Sequence, residues 1–312
     1  MTKHVIIGGG PVATNAIETI RQYGNGEASI TLISDEPAHS RMALPYWLSG
    51  RVPREHTHTA DDAEFARLGV DARIGQRVTA IDTASRTVTL CDESTLEYDN
   101  LLIATGAAPL GLPIPGADLP GVQPLWSLEH TASLLEATEG LESPRVTMIG
   151  AGFIGFIMLN AMHKRGFDLT VIEREGRVLP RMLDAESAGL VESWLGQKGV
   201  AVHTGAAVES IAEGEGGGRV VSMSGGGTVE ADVVVVATGI SPNTQLASEA
   251  GIETDAGIIV NDRCQSSAEG VYAGGDVAQG PVLGGGDNEI HSIQPTAVDH
   301  GRIAGANMAG HD

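Results

Sequence analysis

Residues 4–13 read HVIIGGGPVA, and residues 146–155 read VTMIGAGFIG. In both stretches a short apolar run leads into closely spaced small residues and then into a helix-forming sequence. A second apolar run follows each of them, SITLI at 29–33 and DLTVI at 168–172. Short apolar strands of this kind are typical of parallel sheets that helices cover on both faces. The repetition therefore predicts two strand–helix–strand units in one chain.

The small residues of each unit match the Gly-x-Gly-x-x-Gly/Ala spacing of nucleotide-binding turns. The first residue allows a tight turn, the second lets a pyrophosphate approach the backbone, and the third keeps the helix close to the strand. The helix N-terminus then offers free N–H groups to the phosphates. A single copy could be a turn that merely joins strand to helix, but two copies favour nucleotide binding. The residues concerned are Gly8, Gly10, Pro11 and Ala13 in the first unit and Gly150, Gly152, Phe153, Ile154 and Gly155 in the second.

An acidic residue follows the second strand of each unit, either Asp35 or Glu36 in the first and Glu173 in the second. A carboxylate at this place accepts hydrogen bonds from ribose hydroxyls and repels a 2′-phosphate. The first unit is therefore expected to bind an adenosine with a free ribose. Glu173 favours NADH over NADPH, although the adjacent Arg174 could accept a 2′-phosphate.

Each unit closes with another apolar strand and a small-residue turn, LLIATG at 101–106 and VVVVATG at 233–239. The fold class expected is α/β, with two Rossmann-like βαβ nucleotide-binding domains, the second inserted in the first. The expected boundaries are residues 1–110 for the start of the first domain, 111–240 for the second, and 241–312 for the return to the first. A further strand end, GVYAGGD at 270–276, places Asp276 beside two glycines. Alone, that aspartate would be interpreted as the cap of a following helix.

Composition excludes several classes of function. The formal net charge is −21, so binding to nucleic acid or to an anionic membrane surface is not expected. The two cysteines, Cys91 and Cys264, lie far apart in the sequence and predict neither a disulfide framework nor a zinc site, so no metal is expected. No basic leader precedes the first strand, and no apolar run reaches the roughly 18–20 residues of a membrane span. A cytoplasmic protein is therefore expected.

In their order, these motifs resemble the FAD-dependent pyridine-nucleotide oxidoreductases over essentially all 312 residues. That family includes ferredoxin and rubredoxin reductases, NADH oxidases and the flavin–NADH portion of assimilatory nitrite reductases. The resemblance implies that the first unit holds FAD and the inserted unit holds NAD(P)H, with NADH favoured. It also implies cofactor contacts from Arg41, Ala104, Thr105, Gly106, Gly275 and Asp276, from Pro295 and Ala297 near the flavin ring, and from Gly239.

The chain departs from the family pattern at chemically important positions. Disulfide reductases and NADH peroxidases carry a cysteine near the flavin, whereas the corresponding loop here, 40–46, reads SRMALPY. Thiol chemistry needs a thiolate, so it is not expected. Tyr46 stands where ferredoxin reductases have a lysine, and Ile157 stands where many members have a glutamate near the nicotinamide. His291 and His300 are interpreted as structural rather than proton-donating residues.

The expected activity is hydride transfer from NADH to FAD, followed by electron transfer to a redox protein or a small-molecule acceptor. No catalytic side chain is assigned, because the cofactors supply the chemistry and the protein mainly positions them. Relatives continue into a C-terminal interface domain, so the chain is expected to be either part of a longer protein or a member that lacks this domain; its oligomeric state is left open. One alternative is an FAD- and NAD-binding sensor or interaction module without turnover. A third is a flavin-free dehydrogenase that uses only the second site.

Overall fold

The chain divides into two units in the structure, a computed structural model that describes residues 1–24, 26–282 and 284–311. The first unit comprises Met1–Met42, Glu55–Ala108 and Pro242–Asp312, and the second comprises Ala43–Arg54 and Pro109–Ser241. Residues 43–54 thus group with the second unit, although the sequence assigned them to the first domain. The physical reason is that Leu44 and Leu48 are buried in the second unit's hydrophobic core.

Strands and helices alternate around the glycine turn of each unit, whereas β3 to β9 and β12 to β17 follow one another without an α-helix between them. The strands are β1 (Lys3–Ile7), β2 (Ser29–Ser34), β3 (Val70–Ile74), β4 (Val78–Asp82), β5 (Thr87–Leu90), β6 (Thr95–Glu97), β7 (Asn100–Ile103), β8 (Ala107–Pro109), β9 (Val122–Pro124), β10 (Arg145–Ile149), β11 (Asp168–Ile172), β12 (Ala201–His203), β13 (Val208–Glu213), β14 (Arg219–Met223), β15 (Thr228–Ala231), β16 (Val233–Val236), β17 (Ile240–Pro242), β18 (Ile258–Ile259), β19 (Val271–Ala273) and β20 (Ala278–Gln279). The α-helices are α1 (Pro11–Tyr23), α2 (Leu44–Leu48), α3 (Asp62–Arg67), α4 (Leu128–Ala137), α5 (Phe153–Arg165), α6 (Ala185–Gln197), α7 (Gln245–Glu249) and α8 (Gln294–Met308), and short 3₁₀ helices cover Arg41–Ala43, Arg54–Thr57, Glu215–Gly217 and Gly275–Val277.

A five-stranded parallel sheet forms the centre of each unit. The strand order is β19-β7-β1-β2-β3 in the first unit and β12-β11-β10-β16-β9 in the second. In the first sheet, β2 and β3 lie on one side of β1, and β7 and β19 lie on the other. In the second sheet, β11 and β12 lie on one side of β10, and β16 and β9 lie on the other. The topology confirms the α/β fold with two Rossmann-like units. It also creates a switch point at the carboxyl ends of β1 and β7, and another at those of β10 and β16, where α/β proteins bind ligands.

Alternating side chains bury both faces of the first sheet. Val5 and Ile7 of β1 lie in one hydrophobic cluster, whereas Ile6 lies in another, against α1. This alternation is the period of two expected for a strand with two covered faces. Helix α8 packs closely on α1, because Gly301 and Gly305 have no side chain. An added Cβ would lie 2.4 Å from Val12 O at Gly301 and 2.7 Å from Ala16 O at Gly305.

None of the helices in the described residues is both long enough and apolar enough to cross a bilayer.

His4 introduces a pH-sensitive group into the core of the first unit. Its side chain on β1 is 2% exposed, and the Asn100 amide nitrogen lies 3.4 Å from its Nδ1. Burial lowers the pKa of His4 from 6.5 to about 4; Arg21 lowers it further and Asp99 opposes the shift. Below pH 6.5, His4 therefore binds a proton in the unfolded chain but stays neutral in the folded chain. The free energy of unfolding falls with pH until the pH reaches the folded-state pKa of His4.

Replacing His4 with glutamine is expected to remove this loss of stability. Between pH 6.5 and 4 the wild type should lose on the order of 3 kcal/mol more than His4→Gln, since one pKa unit corresponds to about 1.4 kcal/mol. Chemical denaturation at a series of pH values measures the difference. His56→Gln, at an exposed histidine of the same unit, is the matched control and should follow the wild type. A His4→Gln protein with the wild-type pH dependence would contradict the assignment.

Candidate functional site: two nucleotide-binding crevices

The first crevice lies at the carboxyl ends of β1, β7 and β19 in the first unit. Gly8, directly after β1, has φ +105°, and an added Cβ would lie 2.2 Å from the carbonyl oxygen of Ala104. The Ala104 N–H in turn donates to Ile7 O at 2.8 Å. Only glycine fits this position without strain, because the backbone is left-handed and a neighbouring strand end presses against it. The tight turn that the motif requires is therefore present.

The next glycine of the turn leaves space where a ligand would approach. Gly10 is the N-cap of α1, no side chain caps that end, and no atom lies within 4 Å of the place where its Cβ would stand. Pro11 occupies the first turn, where its missing N–H is harmless. Ala13 is fully buried against the sheet. The N–H groups at the start of α1 therefore have no side-chain cap, an arrangement that suits an anion.

A second helix begins at the same crevice. Pro295 lies in the first turn of α8, and no side chain caps this N-terminus either. Ala297 is buried, with its Cβ 3.7 Å from the place where a Cβ of Gly275 would stand. The turn after β19 is thus held directly against the start of α8. The structure brings Pro295 and Ala297 together with Gly275 and Asp276.

Arg41 and Asp276 supply the charges of the first crevice. Arg41 Nη1 lies 3.8 Å from Asp276 Oδ2, and a Cβ added to Gly106 would be 3.6 Å from the same Nη1. Burial raises the pKa of Asp276, and Arg41 opposes that shift. Burial likewise lowers the pKa of the Arg41 guanidinium, with Asp276 and the acidic residues after β2 opposing it. A guanidinium held beside two strand ends is suited to phosphate oxygens.

The acidic residues after β2 are not at the position that corresponds to Glu173 in the second unit. Ile7 pairs with Ile33 and Ile149 pairs with Ile172, so Ser34 is the structural counterpart of Glu173. Ser34 Oγ donates to Glu36 O at 2.7 Å and would lie 2.8 Å from a Cβ on Gly9. The carboxylates therefore come one and two residues later than in the second unit. Asp35 accepts a bond from Arg77 at 2.6 Å, and Glu36 Oε2 lies 3.9 Å from His39 Nε2.

The second crevice, at the carboxyl ends of β10 and β16, repeats the geometry of the first. Gly150 has φ +102°, and an added Cβ would lie 2.4 Å from Ala237 O. Gly152 caps α5 without a side chain, and a Cβ there would meet no atom within 4 Å. Gly155 is buried, and its Cβ would be 3.1 Å from Gly150 O. Phe153 and Ile154, the first two residues of α5, are 52% and 39% exposed, so this helix start faces solvent.

Glu173 is fixed beside the glycine turn of the second crevice. Its side chain is 8% exposed, and its carboxylate accepts the Ala151 N–H at 2.7 Å and the Glu175 N–H at 2.8 Å. The neighbouring Arg174 points away into an exposed ion pair with Glu175 at 3.2 Å. Gly239, with φ +137°, lies after β16, and its carbonyl accepts the Leu110 N–H at 2.9 Å. A carboxylate in this position suits ribose hydroxyls.

Comparison with known proteins identifies the family. A family model described as pyridine nucleotide-disulphide oxidoreductase matches residues 2–301. The chain belongs to this family.

Several relatives in the family cover nearly the whole chain. It is 33% identical to the NADH-dependent phenylglyoxylate dehydrogenase subunit epsilon of Aromatoleum evansii, over 99% of this chain and 73% of the relative. It is 34% identical to the rhodocoxin reductase of Rhodococcus erythropolis, over 98% of this chain and 72% of the relative. The solved NAD-dependent persulfide reductase from A. fulgidus superposes with a TM-score of 0.92 at 36% identity, covering 100% of this chain and 60% of that one.

Membership of the pyridine nucleotide-disulphide oxidoreductase family makes the protein an FAD-dependent NAD(P)H oxidoreductase. The donor groups of both crevices fit dinucleotides. Each has a glycine turn pressed against a strand end, an uncapped helix start and empty space at the second glycine. The first crevice adds a guanidinium and a carboxylate, and the second adds a buried glutamate.

Tyr46 and Ile157, the two residues at which the sequence is expected to depart from the family pattern, lie on helices of the second unit. Tyr46, on α2, is 50% exposed, and the Arg51 guanidinium lies 6.0 Å from its ring centroid. Ile157 is half-buried on α5. Cys91 is exposed just after β5, and Cys264 is buried in the first unit's core. Neither cysteine belongs to residues 40–46.

Two side chains hold the first crevice together; the sequence indicated a structural role for His300 but none for Asn243. The Asn243 amide donates to Thr105 O at 2.7 Å, the Thr105 hydroxyl donates to Asn243 O, and the Asn243 N–H donates to Gly106 O at 2.9 Å. His300 Nδ1 accepts the Gly275 N–H at 3.1 Å. The sequence signal for Asn243 was its place four residues after the ATG strand end at 237–239. Its partners are about 140 positions away in the chain, beyond any local pattern.

Proposed function

We propose that the first crevice holds FAD and the second holds NADH, and that the protein passes a hydride from NADH to FAD and the electrons onward to a redox protein or a small-molecule acceptor. The proposed FAD-binding unit comprises Met1–Met42, Glu55–Ala108 and Pro242–Asp312, and the proposed NADH-binding unit comprises Ala43–Arg54 and Pro109–Ser241. The observation that carries this assignment is the difference in charge between two otherwise matching crevices. Arg41 and Asp276 lie in the first crevice. In the second, the Glu173 carboxylate accepts hydrogen bonds from the backbone N–H groups of Ala151 and Glu175.

The first crevice supports FAD through the number of its anion-binding groups. The starts of α1 and α8 both lack a side-chain cap, and the Arg41 guanidinium lies beside Gly106. Two helix N-termini and an arginine favour a pyrophosphate more than a single helix start does. Asp276, at 3.8 Å from Arg41, is placed to accept hydroxyl donors. Asp35 or Glu36 remains the predicted partner of the adenosine ribose.

The second crevice supports NADH rather than NADPH through Glu173. Its two oxygens are oriented by the N–H groups of Ala151 and Glu175, and each oxygen keeps a lone pair for a ribose hydroxyl. A 2′-phosphate at that place would meet a buried negative charge. Arg174 could offset this charge only by leaving its ion pair with Glu175.

The side chains of this protein bind and orient the cofactors rather than transfer protons. When bound, FAD accepts the hydride of NADH and can give its electrons to a further acceptor. The glycine turns hold the dinucleotides, Arg41 neutralises phosphate charge, and Glu173 fixes the ribose. Positioning of this kind lowers the entropic cost of the hydride transfer.

A thiol step is not part of the proposal. Burial raises the pKa of the Cys264 thiol to about 12, with the nearby Asp262 adding to the shift, so this cysteine does not supply a thiolate at neutral pH. Cys91 is exposed on the antiparallel β4-β5-β6 sheet. We therefore propose an acceptor of the kind named in a 33% identical relative, the ferredoxin–NAD(+) reductase component of the biphenyl dioxygenase system of Paraburkholderia xenovorans.

A chain without cysteines is expected to keep its activity. The double variant Cys91→Ser and Cys264→Ala should oxidise NADH with ferricyanide as acceptor at a rate within about twofold of the wild type, because no thiolate takes part. Each single variant separates a folding effect at the buried Cys264 from a chemical effect at the exposed Cys91. A loss of more than about tenfold in Cys91→Ser, with FAD content and melting temperature unchanged, would show that a thiol takes part.

A further inference from the structure

The turn that carries Asp276 is bound by an imidazole. The Gly275 N–H donates to His300 Nδ1 at 3.1 Å, across from the 3₁₀ helix Gly275–Val277 to α8. Gly275 has φ +75°, so its peptide adopts a left-handed conformation that glycine tolerates best. A histidine is thus the side-chain acceptor for the backbone group directly before Asp276.

Side chains pack closely around this turn, but their contacts do not fix the orientation of the Gly275 peptide. A Cβ on Gly274 would lie 3.0 Å from both His300 Cβ and Val12 Cγ1, and a Cβ on Gly275 would lie 2.8 Å from Val12 Cγ2. The Gly274 N–H donates to Ile103 O at 3.2 Å. These contacts press the turn between α1 and α8. Hydrogen bonds give the orientation, because apolar contacts have no preferred direction.

We infer that His300 is a positioning residue for flavin binding: its neutral imidazole orients the Gly275 peptide and with it the Asp276 carboxylate, and its protonation weakens the hold on FAD. The inference rests on the proposed function, since it takes the first crevice as the FAD site.

The chemistry follows from the two states of imidazole. Nδ1 accepts a hydrogen bond only when the proton is on Nε2, and a protonated imidazole has N–H donors at both nitrogens. Protonation of His300 would therefore place its Nδ1–H opposite the Gly275 N–H, and the hydrogen bond between them would be lost. Burial lowers the pKa of His300 from 6.5, His291 lowers it further, and Asp299 opposes the shift. Asp276 directly follows Gly275 in the turn, and the Arg41 Nη1 lies 3.8 Å from its Oδ2.

The sign of the pH effect follows from that lowered pKa. The structure favours the neutral imidazole, so the hydrogen bond is intact at pH 7 and above. It is lost as the pH falls below 6.5 through the folded-state pKa. FAD affinity should fall over the same range. Asp276, whose pKa burial raises, could also make FAD binding depend on pH. The test must therefore separate the two groups.

Two substitutions of His300 make that separation. Asparagine can place its Oδ1 near the position of Nδ1 and accept the Gly275 N–H, and it does not titrate. Alanine removes the acceptor. The dissociation constant of FAD is measured by equilibrium dialysis of the purified holoprotein at pH 7.5 and pH 5.5, and His56→Asn, at an exposed histidine, is the matched control.

The wild type and His56→Asn should bind FAD more weakly at pH 5.5 than at pH 7.5, by less than about tenfold because the pKa of His300 lies below 6.5. His300→Asn should match the wild type at pH 7.5 and lose most of the pH dependence. His300→Ala should bind about tenfold more weakly than the wild type at pH 7.5, the effect of one lost buried hydrogen bond.

Two results would overturn the inference. One is His300→Ala with wild-type affinity at both pH values. The other is His300→Asn with the full pH dependence of the wild type, which would assign the titration to another group such as Asp276. Failure of the proposed function is distinguishable, because a wild type that does not bind FAD, or a Gly10→Ala variant that binds it normally, would remove FAD from the first crevice altogether.

Discussion

Replacing Gly10 with alanine is expected to release FAD from the protein while the fold stays intact. Gly10 has φ −78° and ψ −173°, a conformation open to alanine, and its added Cβ would touch no protein atom within 4 Å. The substitution therefore costs the free protein little. The Cβ would instead occupy the space where the pyrophosphate approaches the start of α1, and it would break that approach.

We expect the dissociation constant for FAD to rise by about 100-fold in Gly10→Ala, which corresponds to about 2.7 kcal/mol. Equilibrium dialysis measures it, and the melting temperature of the apoprotein checks the fold. Gly8→Ala is the contrasting variant, because its Cβ would stand 2.2 Å from Ala104 O and should destabilise the fold itself. Normal FAD binding by a folded Gly10→Ala protein would contradict the assignment of the first crevice.

Replacing Gly152 with alanine is expected to weaken NADH binding and leave FAD binding unchanged. Its φ of −79° and ψ of 178° also accept alanine, and again no atom lies within 4 Å of the added Cβ. The variant should keep its FAD and its yellow colour. Its apparent affinity for NADH should fall by about 100-fold, because the pyrophosphate of NADH loses its approach to α5.

The two glycine variants are controls for each other. Each adds one methyl group at the N-cap of the corresponding helix, in nearly the same backbone conformation. Stopped-flow reduction at a series of NADH concentrations gives the affinity in Gly152→Ala, and the absorbance spectrum gives its FAD content. A Gly152→Ala protein that lost FAD and retained NADH affinity would exchange the roles proposed for the two crevices.

The sequence was sufficient to predict the parts of the fold that have a local signature. The glycine turns after β1 and β10 could be found because a left-handed backbone, a close strand end and a helix start each require small residues in fixed order. The paired strand ends 101–106 and 233–239 followed from their apolar composition. The family followed from the order of these motifs, and the comparisons confirm it.

The remaining features depend on contacts between distant parts of the chain. Residues 43–54 join the second unit because Leu44 and Leu48 are buried against apolar side chains of α5, more than a hundred positions away. Ser34 takes the place of Glu173 through strand register, which the sequence alone leaves uncertain by a residue or two. The hydrogen bond between Gly275 and His300 likewise follows from the packing of α8 on α1.

The central claim is that NADH reduces FAD bound to this chain. The most direct measurement mixes the purified holoprotein with NADH, and separately with NADPH, in a stopped-flow instrument without oxygen. We expect rapid bleaching of the flavin band by NADH, and slower or weaker bleaching by NADPH because of the charge of Glu173. A stable yellow protein that neither nucleotide bleaches would rule out hydride transfer in this chain, and would indicate a module that binds FAD without turnover.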